Sequence, residues 1–293
     1  MKLGFWKGIF IISILVIAYI IIFHREYIFS LVNMSKPCKI VVFDLDETLG
    51  SFVELGMFWD AINRILGHQK KEHFFEVIDL FDEFLRPKIL KILKYIIDRR
   101  RDKSCNKIMI YTNNQGPKSW AQMISKYFDK KLKTKVFDQI IAAFKVRGER
   151  VELCRTSHGK STTDLFKCTR IPKNTKICFL DDVYHEDMDT ENVFYINVQP
   201  YRYSIPYAEM AIRYYEEFNP NIPYGDFITS VEDHMERYGH DVIPKSKKEI
   251  DADNVISKQI MIHLEEFFKV SNRKTLKKRR RKGRKTRKSR SKF

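Results

Sequence analysis

The chain is short of the features that announce several common activities. Its 11 glycines in 293 residues are scattered, and nothing resembles a glycine-rich phosphate loop, so nucleotide binding of the P-loop kind is unsupported. The five cysteines, Cys38, Cys105, Cys154, Cys168 and Cys178, are odd in number and show no Cys-x-x-Cys spacing. That pattern argues against a disulfide framework and a structural zinc site, and for a reducing compartment. Cys38 and Cys178 flank core-strand candidates and read as small apolar residues. No internal repeat is present. Acidic residues are missing from 273–293, "RKTLKKRRRKGRKTRKSRSKF", which holds 14 Lys and Arg. Without that segment the chain has 40 basic and 37 acidic residues, so the net charge of +17 belongs to a tail rather than to a fold.

A like-charged block of this density repels itself and is expected to be disordered until it meets a polyanion. Non-specific nucleic acid or an anionic membrane face would serve, and a nuclear-import receptor is a further reading. Phe293 is its single aromatic, so base stacking is not expected. At the other end, "FWKGIFIISILVIAYIIIF" (5–23) is 19 residues with one charge, Lys7, close to the ~20 that cross a bilayer as a helix. The bulky "HREYIFSLVNM" that follows offers no small-x-small cleavage site, so the run reads as an uncleaved single-pass anchor within 1–30. Flanking cations give only a slight orientation bias, and thiol usage favours a domain facing the cytoplasm. Met34 is an alternative start that would omit the anchor.

Between these ends, 44% hydrophobic content supports a sizeable core. Strands are expected at 39–44, 107–112, 137–144, 176–180 and 192–198, alternating with helical spacing at 87–100 and 117–132. The alternation predicts an α/β, doubly wound, mostly parallel sheet over 36–205. Residues 57–84 read as a two-helix cap insertion, and 206–272 as a helical extension with helices at 208–218 and 254–269.

Chemistry concentrates where strands end. "KIVVFDLDETL" places Asp44 and Asp46 after an apolar run, two apart, so that an extended chain points both to one side. Such like charges need a cation or a shared proton between them. "KIMIYTNNQG" ends a strand in Thr112, "KICFLDDVYHED" ends another in Asp181 and Asp182, and Lys160 lies between in "SHGKSTTDL". This set suits phosphoryl transfer through a covalent aspartyl phosphate: a carboxylate nucleophile, Mg²⁺ on oxygen ligands to offset phosphate charge, and Thr112 and Lys160 on the phosphoryl oxygens. Asp46 would protonate the leaving oxygen and then activate water.

"FDLDETL", "YTN", a lysine and "FLDD", in that order on hydrophobic strands, resemble the four motifs of the haloacid dehalogenase (HAD) superfamily. "DLDETL" with "FLRP" is similar to the FCP/SCP branch, whose members dephosphorylate the C-terminal domain of RNA polymerase II and other proteins. The resemblance covers about 36–203. It implies Asp44 as nucleophile, Asp46 as general acid/base and Thr112 as phosphate ligand. It also implies a Mg²⁺ site built from Asp44, the Asp46 carbonyl, Asp181 and Asp182. Lys160 matches the third-motif lysine, with Lys167 and Lys173 as rivals. The fourth motif departs from the branch, which has Asp-Asn there, and "YTNNQG" is also similar to the Thr-Asn-Gln-x-Gly motif of polynucleotide and histidinol phosphatases. In composition, the basic tail and apolar leader resemble proteins of large DNA viruses.

The resemblance thus implies a Mg²⁺-dependent phosphatase acting on a phosphorylated substrate, in the first instance a protein. A nucleic-acid-end or small-molecule phosphatase and an inactive HAD-fold adaptor are the other readings. Three further groups are read structurally: His185, Glu186 and Asp187 as a solvated helix start, His158 as an exposed loop residue, and Arg99–Lys103 as cations at a helix C-terminus.

Overall fold

The computed structural model describes residues 38–288, with side chains as far as 269. The expected anchor at 5–23 and the alternative start at Met34 lie outside the described residues. Among the described residues, no helix is long and apolar enough to cross a membrane.

Among the described residues, seven strands and eight α-helices run in the order β1 (Lys39–Phe43), α1 (Phe52–Leu66), α2 (Lys71–Leu80), α3 (Ile89–Arg101), β2 (Lys107–Tyr111), α4 (Lys118–Leu132) and β3 (Gln139–Ile141). Then come β4 (Lys145–Val146), β5 (Glu149–Arg150), α5 (Thr162–Thr169), β6 (Lys176–Asp181), β7 (Val193–Asn197), α6 (Tyr207–Phe218), α7 (Tyr224–Glu236) and α8 (Lys247–Lys288). Five strands form one parallel sheet in the order β3-β2-β1-β6-β7, and β4 and β5 make a separate antiparallel hairpin. The chain is therefore α/β with a Rossmann-like sheet, as the alternation of periods predicts. β1 is central, and its five residues are all buried, which is what a strand covered on both faces requires. Strand order reverses about β1, so a crevice opens between the C-terminal ends of β1 and β6.

The insertion after β1 does form two helices, but it begins at Phe52 and is built into the core. Phe58 of α1 packs edge-on to Tyr214 of α6 at 5.8 Å, and His73 of α2 shares a 2.7 Å hydrogen bond with the Tyr214 hydroxyl. The strand expected over 137–144 is only three residues long, because the chain leaves the sheet edge to form the β4–β5 hairpin. α7 was not expected, and neither was α5. α5 is capped by Ser161, whose hydroxyl accepts from Asp164 N at 3.1 Å. α8 starts seven residues before the expected Asn254, at a Ser246–Glu249 capping box in which Glu249 accepts from Ser246 N at 2.8 Å. It also runs on to Lys288, through most of the segment expected to be disordered; Lys and Arg are individually good helix formers.

The cysteine reading needs correction. Cys154 and Cys168 are joined in a disulfide with Cα atoms 5.1 Å apart, and Cys38, Cys105 and Cys178 keep their thiols. An odd count concealed one pair, because the tertiary fold, not spacing, brings the end of α5 to the turn after β5. The thiol argument for a reducing compartment loses its ground. Closing a loop of about 15 residues is worth about 3 kcal/mol. We therefore expect three titratable thiols in the denatured, unreduced protein, and a Cys154→Ser/Cys168→Ser variant less stable by about that amount in denaturant melts.

Candidate active site

β1 hands over to the site without a break in its ladder, since Asp44 N donates to the Leu180 carbonyl at 2.8 Å. The chain then turns sharply through 44–51. Glu47 adopts φ 56°, its N–H donates to the Gly50 carbonyl at 2.7 Å, and Leu49 N donates to the Leu45 carbonyl at 2.9 Å. Gly50 is required there, because a Cβ would lie 2.6 Å from the Phe84 carbonyl oxygen. Arg86, buried beneath the loop, donates Nε to the Thr48 carbonyl at 2.6 Å. Its Nη2 reaches the Glu47 carbonyl at 2.5 Å and the Gln199 carbonyl at 2.8 Å. One guanidinium thus ties the loop to the chain leaving β7.

Asp44, Asp181 and Asp182 present carboxylate oxygens that all lie within 4.8 Å of one another. Three anions this close are held by specific partners. Lys160, 2% exposed, donates Nζ to Asp44 and to Asp181 Oδ2, the latter at 2.7 Å. Asp181 Oδ1 accepts from Val183 N at 2.9 Å, and Asp182 Oδ1 from the Thr48 hydroxyl at 3.0 Å. Asn197 Nδ2 donates to the Asp181 and Asp182 carbonyls at 3.1 and 3.2 Å, fixing the end of β6. Three carboxylates against one ammonium leave an excess of two negative charges on hard oxygen atoms, a donor set that fits Mg²⁺. Asp46 stands outside this cluster; Asn114 Nδ2 donates to its Oδ2 at 2.7 Å, and its Oδ1 is buried without a partner.

These surroundings set the charges. Burial pushes the Asp44 carboxyl up to about 7, with Lys160 pulling the other way and Asp181 adding to the rise. Burial, then the Asp44 charge, likewise raises Asp46 to about 7 against the pull of Asn114. Asp181 and Asp182 are raised as well, chiefly by burial. Burial alone would lower the Lys160 ammonium, but Asp44 and Asp181 outweigh it and hold it above its usual value. Burial lowers His185 to about 4, keeping its ring neutral with Nε2 3.6 Å from Asp181 Oδ2. So His185 is turned toward the site, whereas Glu186 and Asp187 are exposed as expected.

Asp44, Asp46, Thr112, Lys160, Asp181 and Asp182 all come to this edge of the sheet. Thr112 is buried at the end of β2, with its hydroxyl accepting from Asn114 N at 3.0 Å. Of the three lysines, Lys160 enters the site, while Lys167 and Lys173 are exposed. Two residues escaped the sequence reading. Asn114 joins Thr112 to Asp46 and accepts from Gly116 N at 2.8 Å, a link that the "NNQG" turn could have suggested. Arg155, fully buried, donates Nη1 to the Thr112 and Ala142 carbonyls at 3.1 and 3.0 Å and Nη2 to those of His158 and Gly159 at 3.0 and 3.2 Å. It positions the loop that delivers Lys160, and nothing in "CRTSHG" signals that role. The His158 ring packs on Phe144 at 5.5 Å.

Asp46 yields a stability test. Between its ordinary value of 3.8 and about 7 the folded chain holds a proton that the unfolded chain has released. Its contribution to stability is therefore full below the lower value and lost as pH rises through the upper one. Asp46→Asn removes the buried charge and keeps an acceptor for Asn114. Without divalent ions, the variant should exceed wild type by roughly 1–3 kcal/mol above about pH 7 and match it near pH 4 in thermal melts. A pH-independent difference would contradict this assignment. Comparison with protein-family models and with curated proteins finds no match to this chain.

Proposed function

We propose that this chain is a Mg²⁺-dependent phosphomonoester hydrolase of the HAD type that works through an aspartyl phosphate on Asp44, with a phosphoprotein as substrate. The observation that carries the reading is the convergence of Asp44, Asp46, Thr112, Lys160, Asp181 and Asp182 on one end of a parallel sheet, in the chain order of the motifs they resemble. A structural acidic cluster would account for Lys160, but not for a second, differently held aspartate beside it with a buried, unpartnered oxygen.

Asp44 attacks phosphorus in line, and the bond to the leaving oxygen breaks as Asp46 gives that oxygen its proton. A carboxyl with a pKa near 7 is protonated often enough at neutral pH to serve. Asp46, now ionised, takes a proton from the water that cleaves the aspartyl phosphate, which restores both groups. Asn114 keeps the Asp46 carboxyl turned in one direction through both steps. The Lys160 ammonium and the Thr112 hydroxyl face the non-bridging oxygens and stabilise their charge. Mg²⁺ held by Asp44, Asp181 and Asp182 would supply the remaining positive charge against the phosphate dianion.

The preference for a protein substrate rests on the insertion after β1. Its helices are committed to packing on α6, through Phe58, His73 and Tyr214, rather than standing free as a lid over a small molecule.

The test is hydrolysis of p-nitrophenyl phosphate, then of phosphopeptides and 5′-phosphorylated oligonucleotides, with Mg²⁺ and with EDTA. Asp44→Asn should abolish turnover, and Lys160→Ala should lower kcat about 10²–10³-fold. EDTA should silence the wild type. Phosphopeptide turnover above that of the oligonucleotide supports the substrate assignment, and the reverse order replaces it with a nucleic-acid end. Folded, Mg²⁺-loaded wild type that turns over none of these substrates would leave a phosphate-binding adaptor instead.

A further inference from the structure

The sheet is electrically polarised. Its C-terminal edge carries the aspartates of the site, and its N-terminal edge carries cations. Two exposed cations stand at each helix-to-strand junction there: Arg101 at the end of α3 and Lys103 before β2, Lys133 and Lys135 between α4 and β3, Arg170 and Lys173 between α5 and β6. A preference of helix C-termini for cations explains basic residues in the last turn. It does not explain their backbone: Lys103, Lys133 and Arg170 take φ of 61°, 52° and 53°, left-handed positions that glycine fills with less strain. Three acids at this edge are engaged, Asp98 with Arg101, Asp102 with Arg99 and Asp138 with Arg100, while Glu191 before β7 is exposed with no ion pair among the described residues. Lys103, Lys133, Lys135, Arg170 and Lys173 form no ion pair among the described residues.

The chain also enters and leaves its packed unit at this edge. β1 starts there, with Lys39 N donating to Asn106 Oδ1 at 2.8 Å. The Lys39 ammonium donates to the Phe267 and Phe268 carbonyls at 2.7 and 3.3 Å, and the Phe268 ring lies 6.1 Å from Tyr95 of α3. α8 therefore reaches the end of its packed part beside the α3 connection. Further along the sequence comes 273–293 with its 14 cations, and in the other direction the apolar run 5–23 ends 16 positions before Lys39.

We infer that the N-terminal edge of the sheet is a docking face for an anionic lipid surface, with the catalytic edge directed away from the lipid. Polybasic segments next to an apolar anchor are drawn to anionic headgroups, each cation adding to the attraction. Three loop tips on one edge suit a flat, diffuse partner better than a groove-tracking one. Nucleic acid is less well served: none of the exposed aromatic residues among those described falls in these connections, and the tail has Phe293 alone, so bases find nothing to stack on. The inference is independent of the phosphatase reading, and its test reads no catalysis.

The full chain is floated with vesicles of phosphatidylcholine, with and without phosphatidylserine, at low and high salt. Neutral vesicles measure what the apolar run contributes alone. Wild type should prefer the anionic vesicles at least ~tenfold at low salt, with the preference collapsing at high salt. A variant with Arg101, Lys103, Lys133, Lys135, Arg170 and Lys173 changed to Gln should lose most of that preference, and one exchanging Lys and Arg at the same six positions should keep it. Circular dichroism confirms that both are folded. If the Gln variant prefers anionic vesicles as strongly as wild type, the tail acts alone and the face has no such role. If duplex DNA strips the wild type from the vesicles and the Gln variant loses DNA binding more than lipid binding, the face is a nucleic-acid site and the inference fails.

Discussion

Everything at the C-terminal edge of the sheet depends on how one ammonium divides itself between two aspartates. Asp44, Asp181 and Asp182 are close enough to repel strongly in a buried setting, and Lys160 donates to two of them. A single ammonium cannot neutralise three carboxylates, and the surplus negative charge on oxygen atoms suits a divalent cation. Burial, more than that surplus, is what raises the pKa values of the three aspartates.

Holding those charges in place falls to two buried arginines that touch no carboxylate of the site. Arg86 collects the Thr48, Glu47 and Gln199 carbonyls, and Arg155 those of Thr112, Ala142, His158 and Gly159. Both satisfy backbone groups that sharp loops would otherwise leave buried and unpaired. Each joins segments distant in sequence, so loops that would be mobile alone become a frame around the aspartates. Arg155 lies next to Cys154, and the disulfide to Cys168 closes the stretch of chain that carries Lys160.

The sheet separates two electrostatic tasks. Parallel strands place every strand-to-helix turn at one edge and every helix-to-strand turn at the other, so acidic and basic residues that mingle in sequence are sorted in space. Asp44, Thr112 and Asp181 fall on one side by that rule alone. Lys103, Lys133 and Arg170 fall on the other.

Much of this was legible beforehand. Period-2 and period-3.6 patterns determined the α/β alternation, and strand ends marked Asp44, Thr112 and Asp181 because a buried run must stop where polar chemistry starts. The exceptions are instructive. The capping box at Ser246–Glu249 is written in the sequence, but the expected helix started only at Asn254, with the apolar stripe. The "TTDL" step favoured Lys160 over Lys167 and Lys173 without settling the choice, and no local pattern paired Cys154 with Cys168 or gave Arg155 its four carbonyls. The sequence by itself determined which residues lie on strands and which chemistry their ends carry, since periodicity and burial are local properties. Only the tertiary structure decided which lysine, which cysteines and which arginines meet, because those choices depend on distances between segments far apart in the chain.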